Sequence, residues 1–498
     1  MLFLMPISFS VNAQEEERMA IGTNFWFLAP DWSGENPWIW PEALSRNNDH
    51  NQYVPDNPYT NGINPWNEAF LEETSIYSCF RFMDWQKTNS SKITSWFQRR
   101  LPDDKANFGA NTIGTSSGNP DAPGLAFEWM IDLCNRQQAD IWLCVPHGAD
   151  DDYIQNLAAL VKEKLDPSLK VYIEYSNEVW NFQSAQNHCK QMAVTIGETS
   201  DFNGAMKYQA YRSAQIWKFF EDEFGEEKTR VINVISGQST NSWLGENLHL
   251  AYLFNEDTNP TGVFPEAYGI APYFGGNGLN GADPLVWSKL RTDIFEHRHN
   301  NPDGDSRLED VKEQFAVAHD KYGIELIAYE GGQHLGSNAL APNKDSRMYQ
   351  LYIDYLNAIN PYLKLFCHYT HAGNFSEGGC WGAKEFTGQP ETNAHKYRAL
   401  KDWVANEPQE VTNISEEDMT IADSIPLYPN PITGSNFTIV LNKKSAVNIK
   451  DNSGKIVYAQ QMESGKMKVP ADGLANGFYV ISVNDGETTK NIKIVVAK

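Results

Sequence analysis

The stretch Val171-Tyr172-Ile173-Glu174-Tyr175-Ser176-Asn177-Glu178 is a short apolar run that ends in polar residues. An amphipathic segment, Tyr153–Leu165, precedes it, and a second one, Ala205–Phe224, follows it. In the second segment four side chains recur at helical steps: Tyr208, Tyr211, Gln215 and Phe219. Helices that alternate with short strands are typical of an α/β domain with a parallel sheet.

The same alternation extends over residues 20–404, where eight apolar runs are separated mostly by amphipathic stretches. The runs are Ile21–Leu28, Ile76–Trp85, Ala139–Pro146, Lys170–Ser176, Arg230–Gly237, Tyr268–Phe274, Ile324–Glu330 and Leu363–Thr370. Further amphipathic stretches are Leu125–Gln138, Leu308–Tyr322 and Arg347–Ile359. This pattern predicts a (β/α)8 TIM barrel, with a doubly wound open sheet as the alternative. No glycine-rich fingerprint follows the first run, so a dinucleotide cofactor has no support.

Two glutamates follow strands on opposite sides of the predicted ring. Glu178 follows the fourth strand and Glu330 ends the seventh. Catalytic groups of such barrels lie at the carboxyl ends of the strands. Glycoside hydrolysis needs two carboxyl groups, one to protonate the leaving oxygen and one to attack or to activate water. A single glutamate at a strand end is more often salt-bridged or solvated, and Glu174 is a rival for the acid role.

These positions resemble those of the clan-A glycoside hydrolases, retaining (β/α)8 enzymes that include cellulases and mannanases. Asn177-Glu178 matches the Asn-Glu pair that ends their fourth strand, and Glu330 matches the glutamate of their seventh. The resemblance implies that Glu178 is the general acid/base and Glu330 the nucleophile. It also implies that Asn177 binds the sugar 2-hydroxyl.

The resemblance suggests further substrate-binding residues. Arg81 on the second strand could keep Glu330 ionised, although it could equally serve only to neutralise Glu174. The others are His147 after the third strand, Tyr273 after the sixth, and Trp381 after the eighth. His147 could instead cap the next helix.

The first predicted loop, about residues 29–67, is rich in aromatic residues. Such rings suit the apolar faces of sugars, and Trp32 is one candidate contact. The alternative is that these aromatics pack the loop onto the barrel. The loop contains Trp32, Trp38, Trp40, Tyr53, Tyr59 and Trp66.

Composition narrows the choice of partners. The 498 residues carry a formal charge of −24, with 12% aromatic residues. This charge argues against nucleic acid, and no apolar run is long enough for a membrane span. The six cysteines have no zinc-like spacing, so we expect no metal site. We also expect no cofactor. Which of the cysteines form disulfides, if any do, is left open by their spacing.

We expect a secreted retaining β-glycoside hydrolase, endo-acting on a polysaccharide. A polysaccharide lyase and a non-catalytic carbohydrate-binding surface protein are the alternatives.

The chain divides near residue 404, because all 15 tryptophans lie at or before Trp403. Residues 405–423 contain six acidic residues and no lysine or arginine. This composition predicts a solvated linker. Residues 424–498 carry nine lysines and five acidic residues in short strand-like runs, as in a small all-β sandwich. At the other end, residues 1–13 are apolar and end in Val11-Asn12-Ala13, as in a signal peptide that lacks its basic start.

The tail resembles the C-terminal sorting domain of the type IX secretion system of Bacteroidetes. The matching motifs are Leu427–Pro431, Gly454-Lys455, Gly473–Tyr479 and a lysine-rich last strand. The resemblance implies a secreted or cell-surface protein of a Gram-negative bacterium, with the secretion machinery as a partner. A carbohydrate-binding β-sandwich is the alternative, but the tail has no tryptophan to stack on sugars.

Overall fold

The computed structural model describes residues 18–26, 64–104, 123–276, 278–405 and 427–496, the last with gaps at 429–431, 433, 442, 451–454, 476 and 487–488. The chain forms two compact units, Met1–Gln409 and Glu410–Lys498. The predicted signal peptide, the acidic linker and Trp32 lie outside the described residues, as does most of the first loop.

The first unit contains a closed barrel of eight parallel strands, which confirms the predicted TIM barrel. Neighbouring strands pair in chain order, and β1 pairs with β8 to close the ring. All eight strands overlap the apolar runs of the sequence. They are β1 Ala20–Asn24, β2 Cys79–Arg81, β3 Asp140–Val145, β4 Val171–Tyr175, β5 Val231–Ser236, β6 Ala267–Ile270, β7 Glu325–Ala328 and β8 Leu365–His368.

The described helices are α1 Glu68–Thr74, α2 Phe127–Gln137, α3 Asp151–Lys164, α4 Gln183–Ala193, α5 Phe202–Phe224, α6 Ser242–Leu244, α7 Ala251–Leu253, α8 Val286–Phe295, α9 Arg307–Phe315, α10 Leu340–Lys344, α11 Arg347–Ile359 and α12 His395–Val404. Gly245–Leu250 and Ala316–Lys321 are π-helical. Short 3-10 turns span Trp96–Gln98, Val194–Ile196, Gly225–Arg230 and Glu391–Asn393.

Side chains at several helix starts explain where the helices begin. Asp150 accepts a hydrogen bond from the Tyr153 backbone N–H at 2.8 Å and caps α3, so the helix does not depend on His147. Asp201 caps α5 in the same way through the Gly204 N–H.

The sixth strand ends earlier than the sequence predicted. The apolar run extends to Phe274, but β6 stops at Ile270, two residues before Pro272. Proline has no N–H to donate to the ladder, which accounts for the early end. The chain then forms a separate short strand, Tyr273–Phe274, which pairs with Gly332–Gln333 after β7. This small sheet brings Tyr273 next to the end of β7.

The barrel interior is closely packed. Gly22 on β1 lies between Cys79 on β2 and Cys367 on β8 at the same register. A Cβ atom at Gly22 would lie 2.7 Å from the Cys367 Sγ, so only glycine leaves room for the two thiols. All six cysteines are buried free thiols.

The second unit is an antiparallel sandwich, as predicted. Its strands are β9 Leu427–Tyr428, β10 Asn436–Leu441, β11 Ser445–Lys450, β12 Ile456–Met462, β13 Gly465–Pro470, β14 Gly477–Asn484 and β15 Thr489–Val496. One sheet has the order β9-β10-β13 and the other β12-β11-β14-β15. Buried side chains of both sheets, including Phe437 and Ile481, form one core.

Candidate active site

A pocket of about 440 Å³ lies at the carboxyl ends of the barrel strands, where a TIM barrel carries its chemistry. Five residues that the sequence had suggested line it together: Asn177, Glu178, Tyr273, Glu330 and Trp381. The two candidate carboxyl groups and three candidate sugar-binding side chains therefore share one cavity.

Arg81 organises the floor of this pocket from within the barrel. Its guanidinium is fully buried, with Nη1 2.9 Å from Glu330 Oε1 and Nη2 2.9 Å from Glu174 Oε2. It also donates to Asn177 Oδ1 at 2.7 Å. The two roles considered for Arg81 are thus combined, because one cation contacts both glutamates. Buried charges of this kind persist only when they are paired.

Glu174 lies deeper than the pocket. It accepts hydrogen bonds from Arg81 and from the Trp142 indole N–H at 3.0 Å, and it is 1% exposed. It is not among the residues that line the cavity. Its position is that of a buried counter-ion to Arg81.

Glu330 is held on both oxygens. Arg81 donates to Oε1, and the Tyr273 hydroxyl donates to Oε2 at 3.0 Å. Burial raises the pKa of Glu330, the Arg81 charge opposes that rise, and the nearby Glu178 carboxylate adds to it. Direct contact with a guanidinium favours the ionised form of this carboxyl group over that of Glu178, which has no such contact among the described residues.

Glu178 occupies a strained turn immediately after β4. Its φ is 40° and that of Ser176 is 61°, a left-handed conformation that is costly for residues with a Cβ. The Tyr329 hydroxyl donates to Oε1 at 2.8 Å and the Asn181 amide to Oε2 at 2.9 Å. Burial raises the pKa of Glu178, against the effect of these hydrogen bonds. The turn presents to the pocket a carboxyl group that keeps its proton more readily than usual.

Aromatic rings form much of the pocket wall. Trp26 and Trp381 pack edge to face with ring centroids 5.6 Å apart, and Tyr369 lies 6.0 Å from Trp26. Trp180 and Phe182, from the loop after Glu178, also line the cavity. Such surfaces suit the apolar faces of sugar rings.

Two residues that the sequence analysis considered for sugar binding, His147 and Trp66, are not among those that line this pocket. His147 lines a separate cavity instead of this one. Trp66, from the end of the first loop, is fully buried, and its indole N–H donates to Asp132 at 2.7 Å. Trp66 therefore packs the loop onto the barrel, whereas Trp32 lies outside the described residues.

Asp84 is a pocket residue that the sequence analysis missed. It is 3% exposed, and the Tyr369 hydroxyl donates to its Oδ2 at 3.0 Å. Burial raises the pKa of Asp84 to about 7, against the hydrogen bond from Tyr369 and the charge of Arg81. The signal was present, because Asp84 follows β2 by three residues and every strand end was a candidate position. Asn89, Trp180 and Tyr369 were missed in the same way.

Within the described part of the chain, no group of three or more His, Cys, Asp or Glu side chains could hold a metal ion. Over the same residues, no helix is both long and apolar enough to cross a membrane.

Residues 426–497 match the family described as "Secretion system C-terminal sorting domain". This match confirms the prediction for the tail. The chain therefore carries a type IX sorting domain of Bacteroidetes, and it is a secreted or surface-attached protein that engages this secretion machinery.

No curated protein matches the chain. Among solved structures, PorZ of Porphyromonas gingivalis, a surface component of the type IX secretion system, is 27% identical over 18% of this chain and 13% of its own, with a TM-score of 0.15. An FMN-binding β-glucuronidase of Facaelibacterium prausnitzii is 10% identical over 97% of this chain and 57% of its own, with a TM-score of 0.35. A Bacteroidetes-affiliated GH5 cellulase is 8% identical over 78% and 92%, with a TM-score of 0.41. The chain thus spans 13% of the length of PorZ and 57% of the length of the β-glucuronidase. These likenesses are too distant to transfer an activity.

Proposed function

We propose that this protein is a retaining β-glycoside hydrolase that cleaves a polysaccharide outside the cell. The enzyme is endo-acting: it cuts internal glycosidic bonds of the polysaccharide. Glu330 is the nucleophile, Glu178 is the general acid/base, and Arg81, Asn177 and Tyr273 position the nucleophile and the sugar.

One observation carries the proposal: the two carboxyl groups of one pocket have opposite partners. Glu330 contacts the Arg81 guanidinium at 2.9 Å, whereas Glu178 receives hydrogen bonds from the neutral donors Tyr329 and Asn181. Paired titratable groups whose surroundings differ in this way divide into an acid and a base. Since the two groups share a pocket, the pair retains one proton in common, and the ion pair favours its residence on Glu178.

The mechanism follows from this asymmetry. An ionised Glu330 oxygen attacks the anomeric carbon as the bond to the leaving oxygen breaks, and Glu178 gives its proton to that oxygen. Glu178, now ionised, then takes a proton from water, and the water oxygen displaces Glu330 from the anomeric carbon. Two inversions at one carbon retain its configuration.

The lining of the pocket disfavours the alternative of a lyase that acts on uronic acids. Among the residues that the structure describes, the lining includes three carboxyl groups, Asp84, Glu178 and Glu330, and no lysine or arginine. A uronic acid would find no cation among these lining residues to bind its carboxylate. Two paired carboxyl groups in one cavity also favour a working enzyme over a binding protein, because binding alone requires neither the strained Glu178 turn nor the ion pair.

The test is a screen of neutral and charged polysaccharides for new reducing ends. We expect the wild-type protein to release reducing ends from a neutral polymer, and the isosteric Glu330→Gln variant to lose roughly four orders of magnitude of that activity. Proton NMR of the first-formed product should show the β configuration. An initial α product would refute double displacement, and unsaturated ends that absorb in the ultraviolet would identify a lyase.

A further inference from the structure

A second cavity, of about 360 Å³, has a lining that shares no residue with the candidate active site. Its walls come from the segment after β3, from α4 and from α5. The helical stripe that the sequence analysis identified on α5 faces this cavity through Tyr208, Tyr211 and Gln215. Part of that stripe therefore lines an open pocket instead of the barrel core.

The cavity adjoins the active site through one short segment. Glu178 and Phe182 line the first pocket, while the Ser184 hydroxyl lies 3.4 Å from Nε2 of His147 in the second. His147 follows β3 by two residues, so both pockets open at the carboxyl ends of neighbouring strands. The segment from Phe182 to Ser184 thus connects the walls of the two pockets.

Four rings follow one another along the wall of this second cavity. The centroid separations are 5.4 Å from His147 to His188, 6.3 Å from His188 to Tyr208 and 6.1 Å from Tyr208 to Tyr211. Rings in such a row offer apolar faces together with polar edges.

Three of these four rings have polar edges that are uncommitted. Among the described residues, the hydroxyls of Tyr208 and Tyr211 and both ring nitrogens of His188 have no hydrogen-bond partner, and neither oxygen nor nitrogen of these groups is sealed from solvent. Gln215 accepts from Arg212 at 2.9 Å through its oxygen, which leaves its amide N–H groups available. The cavity therefore presents several neutral donors and acceptors without partners of their own.

The described residues that line this cavity carry no unpaired charge. Burial lowers the pKa of His147 to about 4, helped by the neighbouring His188, and burial together with Arg212 lowers the pKa of His188. Both imidazoles are thus neutral at pH 7. The Arg212 guanidinium lies 2.8 Å from Asp151, which neutralises it. An anion would find no free cation here, and a cation would find no free carboxylate.

We propose that this second pocket binds an uncharged sugar unit of the polysaccharide, outside the reaction centre, through the Tyr208–Tyr211 face of α5 and His188. The inference rests on the proposed function for the nature of the ligand. Neutral hydroxyl groups match the uncommitted donors and acceptors, and the rings match the apolar face of a pyranose.

The experiment uses the full chain with Glu330→Gln, so that bound polymer is not cleaved. Native electrophoresis through gels that contain a neutral polysaccharide measures the dissociation constant from the retardation of the protein. We expect the added change Tyr211→Ala to weaken binding about tenfold, as expected for the loss of a ring contact and a hydrogen bond. Tyr211→Phe should have a smaller effect, because the ring remains. Tyr362→Ala, a half-buried tyrosine just before β8, is the matched control and should leave retardation unchanged.

A second measurement separates the two proposals. In the otherwise wild-type enzyme, Tyr211→Ala should lower kcat/KM on the polymer more than on a short aryl glycoside that fills only the first pocket. Equal retardation of Tyr211→Ala and its parent, or a parent that no polysaccharide retards, would overturn the second site even if the enzyme hydrolyses glycans. A protein that is retarded in a Tyr211-dependent manner but never releases reducing ends would instead overturn the proposed function alone.

Discussion

Nη1 of Arg81 lies 2.9 Å from Oε1 of Glu330, at the floor of the pocket. Because the same guanidinium also contacts Glu174, one buried cation faces two buried carboxyl groups. Arg81 therefore has two effects. It favours ionisation of Glu330, the candidate nucleophile, and it stabilises the fold by neutralising Glu174 within the barrel.

Replacement of Arg81 tests this coupling. Arg81→Met leaves two buried carboxyl groups without their cation and should lower the free energy of unfolding by about 3–5 kcal/mol. Urea unfolding followed by tryptophan fluorescence reports on the barrel, because all 15 tryptophans lie at or before Trp403. Arg347→Met is the control: its pair with Asp345 is partly exposed, with side-chain exposures of 40% and 28%, so the loss should stay within about 1 kcal/mol. Equal losses in the two variants would contradict the coupling.

Removal of the proposed acid should harm the steps that need a proton. Glu178→Ala should lower the hydrolysis of polysaccharide by roughly 10²–10⁴-fold, with a smaller loss on aryl glycosides whose leaving groups need no protonation. Added azide, a small nucleophile that needs no general base, should restore turnover. Glu174→Gln is the comparison. If that variant shows azide rescue while Glu178→Ala remains active, the acid/base is Glu174.

The sequence predicted the barrel well because each strand is a distinct apolar run with a polar end. The sequence also identified the two carboxyl groups, because a residue at or just after the end of an apolar run can be recognised without knowing the packing. Asp84 and Tyr369 were missed because their role depends on which loop residues turn inward. The placement of His147 was equally unpredictable: the sequence locates it after β3, but only the packing of α4 and α5 decides which cavity it enters.

The boundary between the two units gives a prediction for truncation. A chain that ends at Pro408 retains the whole barrel and α12, so it should fold and keep full activity on the substrate that the screen identifies. It lacks the sorting domain and should no longer be exported by the type IX machinery in a host that has it. Activity assays of the purified protein and fractionation of the host measure the two effects. An insoluble or inactive product would show that the barrel needs residues beyond 408.

The pH dependence of activity should separate the two carboxyl groups through their tyrosine partners. The first step needs ionised Glu330 and protonated Glu178, and burial raises the pKa of both. Activity should therefore be lost on the acid side at a higher pH than for an ordinary glutamate, and should persist further on the basic side.

Tyr273 and Tyr329 each donate a hydrogen bond to one of these carboxylates and so lower its pKa. Tyr273→Phe should raise the pKa of Glu330 and move the acid limb of kcat/KM upward by roughly one pH unit, which narrows the active range. Tyr329→Phe should raise the pKa of Glu178 and move the basic limb upward instead, which widens it. The two variants are matched, because each removes a single hydroxyl that donates to one of the two carboxyl groups. If Tyr273→Phe moved the basic limb and Tyr329→Phe the acid limb, Glu178 would be the nucleophile and Glu330 the acid, the reverse of the assignment that the Arg81 contact supports.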